Sequence, residues 1–202
     1  MKTWTKTVIA LAFGLSTSAL ADDELGYNIG DAVADFSLKN VDGQQVQLSD
    51  YKDRKGVIVV FTCNHCPFAK MWEDRIIDLH QKYAAKGFPV VAVNPNPNHE
   101  GDRFADMQAR AEKKKYGFPY LIDETQGVSK SFGASRTPHV FILENMGGEF
   151  KVAYIGAIDN NYKDPKAVSE RYVEDAVNSL LAGKRPKVDM TKSVGCGIKW
   201  EE

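Results

Sequence analysis

Apolar residues follow two different spacings along the chain, one typical of strands and one typical of helices. Polar and apolar residues alternate on both sides of Asn40-Val41-Asp42-Gly43, which predicts a β-hairpin with a Gly-containing turn. The uninterrupted, mostly β-branched run at residues 57–61 is typical of a strand buried on both faces. Beyond it, apolar residues spaced by three or four positions predict one face of a helix: Phe68, Trp72, Ile76, Leu79 and Tyr83.

The alternation of strand and helix patterns continues toward the C-terminus. A last helix is predicted from Asp164, a capping residue followed by Pro165 at the first helical position, to Gly183. Between the two predicted helices, further strands are predicted at residues 90–93, 120–122, 139–143 and 152–156, and further helices at 102–116 and 128–132. This order predicts an α/β fold, with a central mixed β-sheet flanked by helices on both faces.

The first 21 residues have the pattern of a cleaved secretory signal peptide. Lys2 and Lys6 precede an apolar segment at residues 8–15, and Ala19 and Ala21 form the A-x-A arrangement of a cleavage site. We therefore expect a signal peptide at residues 1–21, one domain at 22–183 and a C-terminal tail at 184–202. The mature protein is expected to be periplasmic or secreted.

Composition and charge exclude several classes of partner. The chain of 202 residues is long enough for one domain with a full hydrophobic core. Loss of Lys2 and Lys6 with the signal peptide leaves 24 basic and 27 acidic residues, a net charge of −3. Because no basic patch stands out, nucleic acid is not an expected partner. Because no second apolar span is present, the mature chain is not expected to be embedded in a membrane.

The three cysteines are Cys63, Cys66 and Cys196. Exported proteins meet an oxidising compartment, where cysteines form disulfides, and an odd number leaves one thiol unpaired within the chain. Cys63 and Cys66 lie where the first buried strand is predicted to end and its helix to begin. In open α/β sheets this edge usually carries the chemistry.

The C-x-x-C pair at this edge has a physical reason to be reactive. On the first turn of a helix, unpaired amides and the helix dipole would lower the pKa of Cys63, and a protonated His65 would favour its thiolate further. A ring this small gains little as a structural staple. An inert disulfide remains an alternative, and so does a metal site, since Cys63, Cys66, His65 and His139 are suitable ligands.

Taken together, the motifs resemble the thioredoxin superfamily in its secreted redoxin branch. The strand VIVVFT, the motif CNHC and the following helix resemble the active-site element, and Arg136-Thr137-Pro138-His139 resembles the cis-proline loop. The leading hairpin and the inserted strand–helix element at residues 94–116 resemble TlpA-like and peroxiredoxin-like members. The resemblance covers residues 30–182 and implies a thioredoxin-like fold.

The resemblance also implies roles for individual residues. Cys63 would attack a substrate disulfide and Cys66 would release the mixed disulfide, with His65 assisting. Pro138 would be cis, and Thr137 would pair through its backbone with a substrate chain, with Asn64 as a further substrate contact. The Asn-His pair inside the motif departs from the Gly-Pro of thioredoxin itself, so the direction of electron flow stays open.

Two departures weaken a peroxidase interpretation. Peroxiredoxins carry Thr three residues before the peroxidatic cysteine and a catalytic Arg where this chain has Pro138. Here Val60 precedes Cys63 by three positions, and Arg136 is displaced by two. The tail around Cys196 resembles that of a peroxiredoxin-like subgroup that also carries CNHCPF, and Cys196 is a candidate third redox thiol, an intermolecular linker or an idle thiol.

The remaining titratable residues are interpreted first as ordinary structural or surface residues. His80 and His99 are expected to be solvated. His139 directly follows the predicted cis-proline, so a place near the sulfurs is the alternative to an ordinary role. Glu73 and Asp74 are expected to be surface charges, with a proton acceptor for the Cys66 thiol as the alternative. The sequence therefore predicts an exported thiol–disulfide oxidoreductase that exchanges with protein thiols or disulfides and a redox partner protein, with no bound cofactor. A thiol-dependent peroxidase and a copper or zinc carrier using the same cysteines remain the alternatives.

Overall fold

The computed structural model describes residues 26–201, so the predicted signal peptide lies outside the described residues. The four helices are α1 (Pro67–Tyr83), α2 (Phe104–Lys114), α3 (Gly127–Phe132) and α4 (Tyr172–Leu181) within this part of the chain. Its strands are β1 (Ser37–Asn40), β2 (Gln45–Gln47), β3 (Gly56–Phe61), β4 (Val90–Asn94), β5 (Tyr120–Ile122), β6 (Arg136–Thr137), β7 (His139–Met146), β8 (Glu149–Gly156) and β9 (Cys196–Gly197).

Seven of these strands form one mixed sheet in the order β2-β1-β5-β4-β3-β7-β8. The strands β3, β4 and β5 are parallel, whereas β7 lies antiparallel to β3 on its other side. One face packs against α1, α2 and α4 through a cluster that includes Trp72, Met107 and Val177. The other face packs against α3 through a cluster around Phe132. The predicted mixed α/β sheet with helices on both faces is thus confirmed.

The start of the last helix differs from the prediction. Asp164 caps only a short 3₁₀ turn, Pro165–Ala167, and the α-helix begins at Tyr172. The side-chain oxygen of Asn160 accepts hydrogen bonds from the amides of Ser169 (3.1 Å) and Glu170 (3.3 Å). These contacts hold the intervening chain in a loop, because the same amides are then not available to a continuing helix.

The start of α1 is also later than predicted. Cys66 is the N-cap residue in an extended conformation, and Pro67 is the first helical residue. Pro is favoured there because it has no N–H to leave unpaired. Cys63 therefore precedes the helix, and only Cys66 lies at its N-terminus.

Between residues 26 and 201, no helix combines the length and the apolar character needed to cross a bilayer.

Candidate active site

The two cysteines of the C-x-x-C motif lie at the carboxyl end of β3, at the centre of the sheet. Both are buried: the exposed fraction is 5% for Cys63 and 0% for Cys66. The strand is covered on both faces, so its end is fixed by core packing. The motif is therefore held on a rigid part of the fold.

The segment between β4 and α2 supplies a buried carboxylate to the motif. Oδ1 of Asp102 accepts hydrogen bonds from the amides of Asn64 (2.6 Å) and His65 (3.0 Å). The other carboxylate oxygen pairs with Nδ1 of His65. The His65 ring also stacks on His99, with 3.8 Å between the ring centroids. These contacts fix His65 in place, and His99 belongs to the site rather than to a separate loop.

Asn64 is held inside the protein. Its amide nitrogen donates to the carbonyl of Gly101 (3.0 Å), and its amide oxygen accepts from the Tyr120 hydroxyl (3.0 Å). Both ends of the side chain have partners in the fold. The contacts therefore support a positioning role for Asn64, and its assignment to substrate binding stays a prediction.

The loop before β7 faces both cysteines. The Thr137–Pro138 peptide bond is cis, and Thr137 is fully buried. Its hydroxyl lies 3.2 Å from Sγ of Cys63, and its carbonyl oxygen lies 3.1 Å from Sγ of Cys66. The structure thus brings together the motif and the loop that the sequence places 71 to 74 residues apart.

The C-terminal tail completes the site. Strand β9 pairs antiparallel with β6, so that Cys196 lies opposite Thr137 and Gly197 opposite Arg136. Sγ of Cys196 is 2.7 Å from Sγ of Cys66. Cys196 is partly exposed, unlike the other two cysteines. The backbone edge that the family resemblance assigns to a substrate chain is therefore occupied by this chain's own tail.

The proton distribution over the three thiols differs from the sequence expectation. A hydrogen bond to Cys66, burial and the nearby Asp102 carboxylate raise the pKa of Cys63. The Cys63 hydrogen bond is the main factor that lowers the pKa of Cys66, helped by Cys196 and the amides of Ala69 and Cys196. The lower pKa of the pair thus belongs to Cys66. The direction at Cys63 is therefore opposite to the predicted lowering, because the hydrogen bond with Cys66, burial and the Asp102 carboxylate all raise its pKa.

Cys196 keeps its proton in the reduced site. Burial, followed by the hydrogen bond to Cys66 and its negative charge, raises the pKa of Cys196 to about 11. When Cys66 is protonated instead, its thiol donates to the Thr137 carbonyl. Three sulfurs therefore share a site in which the central sulfur, Cys66, is the one with the lowered pKa.

Two further expectations are corrected by the structure. Glu73 is buried, with its carboxylate oxygens accepting from Arg110 (2.6 and 2.7 Å) and Tyr116 (2.6 Å), so it ties α1 to α2 and is no surface charge. His80 is partly buried, and its Nδ1 accepts from the Val90 amide at 3.2 Å. Asp74 is exposed as expected.

His139 contacts the core and the loop before it. Its ring lies 4.7 Å from the Phe141 ring, and its Nδ1 accepts from the Ser135 amide at 3.4 Å. Burial lowers its pKa to about 4. None of the recorded contacts within residues 26–201 joins this ring to a sulfur, so the structure does not support its proposed place near the sulfurs.

A different set of side chains has metal-ligand spacing. One ligand atom each from Cys63, His65 and Asp102 lies within 4.8 Å of the other two. Cys66 and His139 are not part of this group, in contrast to the set proposed from the sequence. Nδ1 of His65 and Oδ2 of Asp102 already pair with each other.

The fold and the site define a class of protein. A C-x-x-C motif at the end of a central strand, opposite a cis-proline loop, is the arrangement of a thioredoxin-like oxidoreductase, and comparison with known proteins agrees. Residues 29–153 match the AhpC/TSA family model. This is more than half of the chain, and the protein belongs to the AhpC/TSA family.

Individual relatives narrow the class. Thioredoxin-like protein YneN of Bacillus subtilis (strain 168) is 30% identical over 124 residues, which is 61% of this chain and 70% of that protein. Thiol-disulfide oxidoreductase ResA of Geobacillus thermodenitrificans (strain NG80-2) is 26% identical over 124 residues, 61% of this chain and 68% of that protein. The crystal structure of a hypothetical protein from Sinorhizobium meliloti 1021 superposes with a TM-score of 0.80 at 31% identity, covering 87% of this chain and 96% of that one. The predicted thioredoxin-like redoxin family and oxidoreductase class are confirmed.

Two parts of the site have no recognisable pattern in the sequence. Asp102 lies in an Asn- and Gly-containing loop with no pattern that separates it from a surface acid. The pairing of β9 with β6 involves two residues on each strand, which is too short for any periodicity. The glycines on both sides of Cys196 were the available signal, and they indicated access rather than pairing.

Proposed function

We propose that this protein is an exported thiol–disulfide oxidoreductase that uses Cys63 and Cys66 as its redox couple. Its substrates are protein thiols or disulfides, and a redox partner protein restores it. The observation that carries the proposal is the contact of both sulfurs with Thr137, next to the cis Pro138. The pattern of residues 1–21 supports export.

The arrangement supports a two-step exchange. Cys63 is the less buried sulfur of the couple, so a substrate disulfide reaches it first. Cys63 attacks one substrate sulfur while its proton passes to the Cys66 thiolate, and the other substrate sulfur leaves as a thiolate. Once that leaving thiolate has taken the proton from Cys66, Cys66 attacks Sγ of Cys63. The Cys63–Cys66 bond forms and the second substrate thiolate leaves.

The raised pKa of Cys63 and the lowered pKa of Cys66 suit these two steps. The same interaction between the two thiols is the main cause of both shifts, which favours passage of the Cys63 proton to Cys66. The Cys66 thiolate is stabilised mainly by the hydrogen bond from Cys63, with smaller contributions from Cys196 and from the amides of Ala69 and Cys196. His65, held by Asp102 and His99, shapes the loop between the two sulfurs.

The peroxidase alternative lacks its expected arginine. The guanidinium of Arg136 donates to the carbonyl of Gly195 at 3.0 Å and is thus committed to the tail. We expect no catalytic turnover of hydrogen peroxide with a thiol reductant, measured as peroxide consumption. Turnover that depends on Cys63 would replace the proposal with the peroxidase function.

A redox titration of the mature protein tests the proposed function. In thiol buffers of set potential, with disulfides mapped by mass spectrometry, we expect a Cys63–Cys66 bond that titrates between about −270 and −120 mV, the range of exchange catalysts. A bond that resists reduction below about −300 mV would instead mark a structural disulfide. Cys63→Ser should abolish disulfide exchange with a protein substrate, and Asp74→Asn, an exposed change on α1, should leave it intact.

A further inference from the structure

The tail reaches the site as an ordered part of the fold. Beyond the β6–β9 pairing, the Ile198 amide donates to the Ser135 carbonyl (3.2 Å), and Ile198 is buried in the hydrophobic cluster around Phe132. The Lys199 amide donates to Oδ1 of Asn96 at 2.8 Å. Contacts on both sides of Cys196 therefore hold its sulfur where it is.

Anchors continue to the last described residues. The side-chain amide of Gln126 donates to the Lys199 carbonyl (2.8 Å) and accepts from the Glu201 amide (2.9 Å). On the other side, the Thr191 hydroxyl pairs with Tyr154 (2.6 Å) and accepts from the Ala157 amide (3.0 Å). A substrate chain could pair with Thr137 only by displacing this whole segment.

The three sulfurs form a sequence with Cys66 in the middle. Cys63 and Cys66 lie in one buried cluster and both contact Thr137, and Cys196 approaches Cys66 from the tail at 2.7 Å. Because Cys66 is fully buried, a reductant in solution cannot easily reach it. Cys196 is the accessible neighbour, and it lies opposite Thr137 in the place that the family resemblance gives to a substrate.

From this geometry we propose that Cys196 is a third catalytic thiol, which exchanges with Cys66 as a built-in substrate on the tail strand. The inference rests on the proposed function of Cys63 and Cys66 and extends it. The Cys63–Cys66 couple then exchanges disulfides with its partner protein through Cys196. Protein chains do not pair with Thr137, because β9 already does.

The exchange needs no external oxidant. Starting from the Cys63–Cys66 disulfide, the Cys196 thiolate attacks Sγ of Cys66. The Cys66–Cys196 bond forms, the Cys63–Cys66 bond breaks, and its electron pair leaves on Cys63. The proton lost by Cys196 ends on Cys63. A partner thiolate then attacks Sγ of Cys196, which forms a Cys196–partner disulfide while Cys66 leaves as a thiolate. A second thiol of the partner attacks the partner sulfur of that bond, so that Cys196 leaves as a thiol and the partner carries the disulfide.

Disulfide mapping in a Cys63→Ser variant tests the inference directly, because only Cys66 and Cys196 remain. Oxidised glutathione supplies the oxidant and is reduced to two thiols. Trypsin should separate the peptides 56–70 and 193–199, which carry the two cysteines. We expect these peptides to be joined by a disulfide as the main product. Two separate glutathione adducts, or free thiols, would overturn the inference.

Two glycines of the tail give a matched pair of variants. A Cβ on Gly195 would lie 2.2 Å from the Thr137 carbonyl oxygen, whereas a Cβ on Gly197 would meet nothing within 4 Å. In the Cys63→Ser background, Gly195→Ala should slow formation of the Cys66–Cys196 bond by at least about tenfold, since a displacement of 1 Å is enough for such a loss. Gly197→Ala should match the parent. Equal rates in both variants would show that the β6–β9 pairing does not position Cys196.

The outcomes separate this inference from the proposed function. In one outcome, the Cys66–Cys196 bond fails to form in the Cys63→Ser variant while the wild-type protein shows the expected Cys63–Cys66 titration. That result would contradict the role of Cys196 and leave the proposed function standing. If the Cys66–Cys196 bond forms but the wild-type protein has no exchange activity, the proposed function is contradicted and the pairing of Cys66 with Cys196 is supported. For Gly195→Ala, cooperative urea unfolding with the midpoint of the parent reports that the variant is folded.

Discussion

The two sides of the C-x-x-C motif are held by different physical means. On one side, which we call the insertion side, the inserted segment 94–116 supplies a buried carboxylate. This carboxylate, on Asp102, binds His65 and the backbone amides of the motif. On the tail side, two short strands pair and bring Cys196 to Cys66. The first side consists of charged hydrogen bonds that fix the loop, and the second places a reactive group. The insertion side therefore positions the motif, whereas the tail side adds a third thiol to it.

The largest expected effect comes from removing the insertion-side carboxylate. Asp102→Ala leaves the amides of Asn64 and His65 without their charged acceptor, which we expect to lower the free energy of unfolding by about 3 kcal/mol. Asp106→Ala, an exposed acid on α2, should stay within about 0.5 kcal/mol of the parent. Urea unfolding of the reduced protein measures both. A destabilisation as small as that of Asp106→Ala would mean that Asp102 does not hold the loop.

The next effect concerns the charge on Cys66. The Cys63 thiol is the main factor that lowers the pKa of Cys66 from its ordinary value of 9.0, and Cys196 contributes less. In the reduced protein, Cys63→Ala should raise the midpoint of Cys66 ionisation by at least about two pH units, because a donor to the thiolate is lost. Cys63→Ser, which keeps a hydroxyl donor, and Cys196→Ala should each raise it by less.

Ultraviolet absorbance of the thiolate during acid titration reports this midpoint. The wild-type midpoint should lie well below 9.0. If Cys196→Ala raises the ionisation midpoint of Cys66 more than Cys63→Ala does, the prediction is wrong. The tail, and not Cys63, would then be the main factor that lowers the pKa of Cys66.

The smallest expected effect is on the pH dependence of stability, and it comes from His139, which lies on neither the insertion side nor the tail side. Burial holds the pKa of His139 at about 4, against an ordinary value of 6.5. Between these values the unfolded chain binds a proton that the folded chain does not, so stability falls as the pH is lowered. We expect a loss of about 1–2 kcal/mol between pH 7 and pH 5 from this residue.

Denaturant unfolding of the wild-type protein and His139→Gln at both pH values measures the contribution of His139. The variant should lose less stability on acidification and should keep disulfide exchange. A loss of exchange activity in a folded His139→Gln protein would connect His139 to the sulfurs after all.

Local patterns predicted much of the fold. The hairpin of β1 and β2, the buried strand β3 and helix α1 all follow from residues that are near one another in sequence. The last helix was placed too early because Asn160 binds the amides of Ser169 and Glu170. A capping Asp followed by Pro specifies a turn, but tertiary contacts decide whether a helix continues from it.

The sequence by itself determined the redox motif, the class of fold and the position of the motif at the end of a central strand. Only the tertiary structure decided which cysteine is the thiolate and which groups surround the pair. Asp102 lies 37 residues from His65, and Cys196 lies 130 residues from Cys66. Contacts of this kind leave no periodicity in the sequence, because they depend on where whole elements pack and not on the spacing of neighbouring residues.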